Sequence, residues 1–93
     1  MRVLEIIELC TANQDHQFLK KQADSIKERA SQEDGICINI YWNGFIDTDL
    51  SVHLRYENDS ATVSFSPLGE RVVSALKEYG LVRHTVWTQQ LKV

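Results

Sequence analysis

Two consecutive stretches near the middle of the chain alternate apolar and polar residues without a break, and this limits what the chain can fold into. Ile36, Ile38, Ile40 and Trp42 alternate with Cys37, Asn39, Tyr41 and Asn43; Leu50, Val52, Leu54 and Tyr56 alternate with Ser51, His53 and Arg55. Period two sends successive side chains to opposite faces of an extended strand. The two stretches therefore predict neighbouring strands that each bury one face. Asn43-Gly44 marks a turn between them, although the connection out to Asp49 is longer than a two-residue hairpin.

The flanking segments supply the remaining elements. Val3–Leu9 is short and rich in Val and Ile, and reads as a strand. Its two faces, Val3, Glu5, Ile7, Leu9 and Leu4, Ile6, Glu8, Cys10, are both largely apolar, so both sides are expected to be covered. Residues 11–35 follow. Thr11 with Gln14 has the form of a capping box, Asn13 is a second cap candidate, and Leu19, Ala23, Ile26 and Ala30 make an apolar stripe with Phe18 beside it. An amphipathic helix of about five turns, ending before Gly35, is expected, with His16 solvated in its first turn. Residues 60–66 fit two templates: Ala61, Val63 and Phe65 suit a strand, while Ala61, Phe65 and Leu68 suit the approach to a helix. Ser66 is a good N-cap and Pro67 a good first helical residue. Leu68, Val72, Ala75, Leu76 and Tyr79 form the stripe of this second helix, which Gly80 is expected to close in a left-handed conformation. Residues 81–93 end the chain as a strand. The order β-α-β-β-(short element)-α-β is the split β-α-β arrangement: an α+β, ferredoxin-like antiparallel sheet of strand order 4-1-3-2 with two helices on one face. The other face would be an exposed apolar sheet in a monomer, and a second copy of the chain is its expected cover.

Composition narrows the partners. Ninety-three residues make one domain, 1–93, and 43% hydrophobic with 25% charged residues is a globular balance. A net charge of −3 disfavours nucleic acid, whose phosphates call for clustered Lys and Arg. Lys20, Lys21, Lys27 and Arg29 are instead interleaved with Asp15, Asp24 and Glu28. Glu5 and Glu8 interrupt the N-terminal apolar run, unlike a signal-peptide core, and no run approaches the roughly 18 apolar residues of a membrane span. The expected location is cytoplasmic, with no membrane partner. Cys10 and Cys37 have neither zinc-ribbon nor Cys-x-x-Cys spacing and are read as free thiols. In the 4-1-3-2 order they lie on strands that are not neighbours, beyond disulfide reach. His53 and His84 are likewise separated by a strand, with no further ligands spaced for zinc, so no metal is expected.

Phe18 early in the first helix, the Gly-terminated entry "EDGICINIYW", the run "LRYENDSA" and the block "SPLGERVVSALKEYGLVRHTVW" carry a family likeness. With them the chain resembles the antibiotic biosynthesis monooxygenase-like group of the dimeric α+β barrel superfamily. The resemblance covers nearly the whole chain as a diffuse pattern rather than one diagnostic motif. It implies homodimers that pair sheet to sheet as a dimeric α+β barrel, with an aromatic or polyketide-like ligand between sheet and helices. It also implies oxidation of phenols or quinols by O₂ with no cofactor. One departure is Tyr56, where the third strand often carries Trp. The haem-degrading branch is disfavoured, because the first strand has no Asn, the third no Trp, and Pro67–Tyr79 no His.

His53 and Arg55 admit three readings. Arg55 could pair with Glu5 or Glu8 and fix register or the dimer interface. The row could simply face solvent. In the functional reading His53 is a general base, Arg55 an anion clamp for a phenolate or enolate, and Asn39, Tyr41 and Tyr56 position the substrate. Under the resemblance that set belongs to a cofactor-independent monooxygenase acting on an aromatic or quinol-like small molecule. The alternative is a non-catalytic small-molecule-binding or homo-oligomeric assembly module on the same scaffold.

Overall fold

A computed structural model describes residues 1–60 and 62–90. Its elements run β1 (Arg2–Cys10), α1 (His16–Ala30), β2 (Cys37–Trp42), β3 (Leu50–Glu57), α2 (Pro67–Leu76) and β4 (Leu81–Thr88). The strands form one sheet in the order β2-β3-β1-β4, every neighbouring pair antiparallel. This is the expected ferredoxin-like α+β topology.

Register assigns the two faces. Ile7 lies opposite Val52 on β3 and His84 on β4, and Glu5 lies opposite Leu54 and Val86. Val3, Glu5, Ile7 and Leu9 are all buried, and the alternate residues Leu4, Ile6 and Glu8 only half so. Both helices lay their stripes on the first of these faces. Leu19, Ile26 and Ala30 of α1 and Leu68, Val72 and Leu76 of α2 join Ile7, Leu9, Val52 and Leu54 in one core. Burying each of the Leu, Ile and Val side chains among them contributes about 1.5–3 kcal/mol, and truncating Leu54, which is fully buried, to Ala costs about 2–5 kcal/mol. α2 packs over β1 and β4, α1 over β2. That division brings the start of α2 down onto Glu5 and His84.

Several local expectations are revised. The α1 N-cap is Asp15, whose side chain accepts from Phe18 N at 2.7 Å, and not Thr11 or Asn13. β1 runs on to Cys10, paired with Leu81, so residues 11–14 are used in the turn and the helix starts later. His16 is not merely solvated: its Nδ1 donates to the Asp47 carbonyl at 2.7 Å and its ring lies 4.4 Å from that of Trp42. α2 ends at Leu76, three residues short of Tyr79. Gly80 is not left-handed, since Gly35 is the glycine with positive φ, at 82°. Gly80 is needed for closeness instead, because a Cβ there would collide with the Cys10 carbonyl. Residues 60 and 62–66 are neither strand nor helix, so neither template holds among the described residues. Ser66, before Pro67, is held extended (φ −72°, ψ 155°) and caps α2 by accepting from Gly69 N at 2.9 Å. The expected final strand ends at Thr88, and residues 91–93 of that expectation lie outside the described residues. Among the described residues no helix is long and apolar enough to cross a membrane.

Candidate functional site

The five residues expected to form one site are split between the two faces of the sheet. Asn39, Tyr41, His53 and Arg55 share the face away from the helices, where Cys37 opposes Arg55 and Asn39 opposes His53. On that face the Tyr41 and His53 rings lie 4.6 Å apart, tilted by 52°, and Ser51 Oγ is 3.2 Å from His53 Nε2. Burial first, and then the nearby Arg55 guanidinium, lower the His53 pKa below its ordinary 6.5, with Glu8 opposing. The expected pairing of Arg55 with Glu5 or Glu8 does not occur. Glu5 points to the opposite face, and among the described residues Arg55 makes no ion pair. Its Nη2 instead lies 3.8 Å from Cys37 Sγ, which also receives Asn39 Nδ2 at 3.9 Å. A cavity of about 700 Å³ opens at the end of the sheet near Arg2, lined by Leu4, Cys37, Arg55 and Trp87 of this face and also by Val3 and Tyr56.

Tyr56 is on the helix side, and there it meets two residues that the sequence reading left outside the site. Glu5, 0% exposed, accepts from the Tyr56 hydroxyl at 2.7 Å through Oε2 and from His84 Nε2 at 2.8 Å through Oε1. The Ser66 backbone N–H lies 3.2 Å from both carboxylate oxygens. A buried carboxylate is tolerable only when such donors replace water. Local structure supplies each one. Cross-strand neighbours place Tyr56 and His84 on the two diagonals from Glu5. The extended backbone before Pro67 aims the Ser66 N–H at it. Gly69 in the first turn of α2 makes room, for a Cβ there would strike Glu5 Oε1 and lie 3.2 Å from His84 Cε1.

Electrostatics give the members different roles. Burial, followed by the hydrogen bond to Glu5 and its charge, pushes the Tyr56 phenol up to about 12, so it stays a proton donor at neutral pH. With Glu5 accepting at Nε2, a neutral His84 carries its lone pair on Nδ1. Nδ1 has no protein hydrogen bond among the described residues. A carboxylate that fixes an imidazole by one nitrogen and leaves the other free is the arrangement of a general base with its orienting group. The Phe65 ring stacks on the imidazole, centroids 3.7 Å apart and planes 20° apart. No buried side-chain N or O among the described residues lacks a partner. Likewise among the described residues, no group of three His, Cys, Asp or Glu side chains is placed to hold a metal ion.

No family model matches the sequence, and no curated protein matches it either. Solved structures do match. Rv0793 from Mycobacterium tuberculosis superposes with a TM-score of 0.71 at 18% identity, over 99% of this chain and 98% of that one. A candidate antibiotic biosynthesis monooxygenase from Deinococcus radiodurans gives 0.71 at 15% identity, over 98% and 95%. A mutant of SnoaB, a cofactor-independent oxygenase from Streptomyces nogalater, gives 0.71 at 10% identity, over 99% and 96%. At these identities the likeness is one of fold, and it runs over nearly the whole of each chain.

Proposed function

We propose that the chain is a cofactor-independent monooxygenase of the antibiotic biosynthesis monooxygenase-like family, acting as a homodimer on a phenol or quinol-like small molecule. The observation that carries this reading is the Glu5–His84 pair, 2.8 Å apart on a fully buried carboxylate, with Tyr56 on the second oxygen. The fold shared with a cofactor-independent oxygenase supports it. His84 takes the role of base that the sequence suggested for His53, and Tyr56 keeps its place beside the substrate. The phenol's proton passes to His84 Nδ1, and the phenolate gives one electron to O₂. The radical pair then joins ring carbon to oxygen, and the imidazolium returns the proton to the peroxide. Cleavage of the O–O bond with loss of the ring carbon's hydrogen releases water. One phenol and one O₂ thus give one quinone and one water.

Homodimerisation is supported by the face away from the helices, which carries Leu4 and Ile6 half-buried and Trp87 56% exposed. On this reading His53, Arg55, Asn39 and Tyr41 belong to the subunit interface. Two exposed free cysteines support a reducing, cytoplasmic location.

A second reading, a non-catalytic binding or assembly module, is favoured by one fact: every donor around Glu5 is already satisfied within the chain. Oxygen uptake with a panel of quinols and polyketide-like phenols separates the two. Uptake that survives His53→Ala and is lost in His84→Gln supports the monooxygenase with its base at His84. Uptake lost in His53→Ala moves the base to the open face, and binding without uptake in any variant supports the module.

A further inference from the structure

We infer that Phe65 fills an aromatic subsite on His84, and that a planar ring of the ligand takes this place when Phe65 swings out. The inference rests on the helix-side site just described. Phe65 is stacked closely on the imidazole, at 3.7 Å and 20°, yet it remains 40% exposed and takes no part in the hydrophobic core. Phe18 and Tyr79 behave differently: they meet edge to face at 5.2 Å, both packed against the core. The two partners of the stack are also held very differently. His84 is fixed by its strand and by Glu5. Phe65 lies on irregular backbone whose described neighbours Thr62, Val63 and Ser64 are all exposed.

The first fixed point after Phe65 is Ser66, whose N–H is held by Glu5 and whose side chain caps α2. Phe65 can therefore leave the imidazole without disturbing the cap, the core or the Glu5 network. Its departure uncovers a flat, rigid face suited to an aromatic ring. The ligand must then compete with the chain's own side chain. Its apparent affinity is lowered by the fraction of time that Phe65 occupies the subsite.

The test titrates 2-naphthol, followed by its own fluorescence, into the wild type, Phe65→Ala, Phe65→Leu, His84→Gln and the Phe65→Ala/His84→Gln double variant. An aromatic pair of ordinary strength corresponds to about a three- to tenfold occupancy penalty, so both Phe65 variants are expected to bind that much more tightly. The double variant is expected to bind no more tightly than His84→Gln. Phe65→Leu keeps apolar volume without a flat face, and melting of each chain shows that it is folded. Equal or weaker binding in both Phe65 variants, with binding still lost in His84→Gln, overturns the inference and leaves the site standing with Phe65 as its wall. Binding that is absent throughout, or indifferent to His84, overturns the site itself and the subsite with it.

Discussion

Replacing Tyr56 by Phe removes one hydroxyl from the Glu5 network and nothing from the sheet. The lost bond is 2.7 Å long and charge-assisted, on a carboxylate with no exposure. Hydrogen bonds to charged groups contribute about 1.5–3 kcal/mol. The destabilisation expected for Tyr56→Phe is therefore about 2 kcal/mol, which in a domain of this size lowers Tm by roughly 10 °C. Glu5→Gln keeps the volume and changes the charge. Its oxygen can still accept from His84 and Ser66, and the Tyr56 hydroxyl can turn to accept from the new amide. In that background Tyr56→Phe removes only a neutral bond, about 1 kcal/mol. A double-mutant cycle on Glu5→Gln and Tyr56→Phe should therefore give a coupling of about 1 kcal/mol. Urea unfolding followed by tryptophan fluorescence measures it, at one fixed protein concentration because self-association shifts apparent stability. Additive single variants, or a Tyr56→Phe chain within about 0.5 kcal/mol of the wild type, would refute a buried carboxylate held by this phenol.

Gly69→Ala should destabilise the chain by about 1–3 kcal/mol, even though Ala is the better helix former by about 1 kcal/mol, because its Cβ strikes a Glu5 oxygen pinned by other donors; chemical denaturation that shows a gain would refute the close approach. Tyr56 keeps its proton to about 12 in the folded chain against an ordinary 10, so its contribution to stability is complete below pH 10 and lost as pH rises from 10 through 12. An ultraviolet titration should show a late tyrosinate step that Tyr56→Phe removes. His53 has a lowered pKa, so its contribution is present above 6.5 and lost as pH falls below that value. Histidine NMR titration should place His53 below 6.5, and Arg55→Ala should raise it only in part, because burial is the larger cause. Ile6→Glu, opposite His53 and Thr85 on the uncovered face, should abolish the proposed homodimer, leaving a monomer in light scattering without lowering the helix content.

The fold was legible because its signals are local. The stripe Leu19, Ala23, Ile26 and Ala30 is buried as its spacing requires, and Ser66-Pro67 starts α2 where capping chemistry places it. The misses come from contacts made far along the chain. Thr11 has the composition of a cap, but pairing of Cys10 with Leu81 extends β1 and hands the role to Asp15. Gly80 has the composition of a helix terminator, yet what excludes a side chain there is the Cys10 carbonyl.

The site was harder to read for a related reason. Alternation marks the polar side of β3, and His53 and Arg55 stand out on it, but that side faces away from the helices. The more telling residues are the ones that interrupt an apolar row. Glu5 stands among Val3, Ile7 and Leu9, His84 between Val82 and Val86, and Tyr56 at the end of Leu50, Val52 and Leu54. Each is a polar group that burial obliges to find a partner. Whether the three meet depends on register, and a slip of one residue would turn His84 to the other face. Only the pairing of Val3 with Tyr56 and of Ile7 with His84 brackets Glu5 between phenol and imidazole. The acid–base chemistry proposed for this chain is therefore a property of two strand registers rather than of any motif along the sequence.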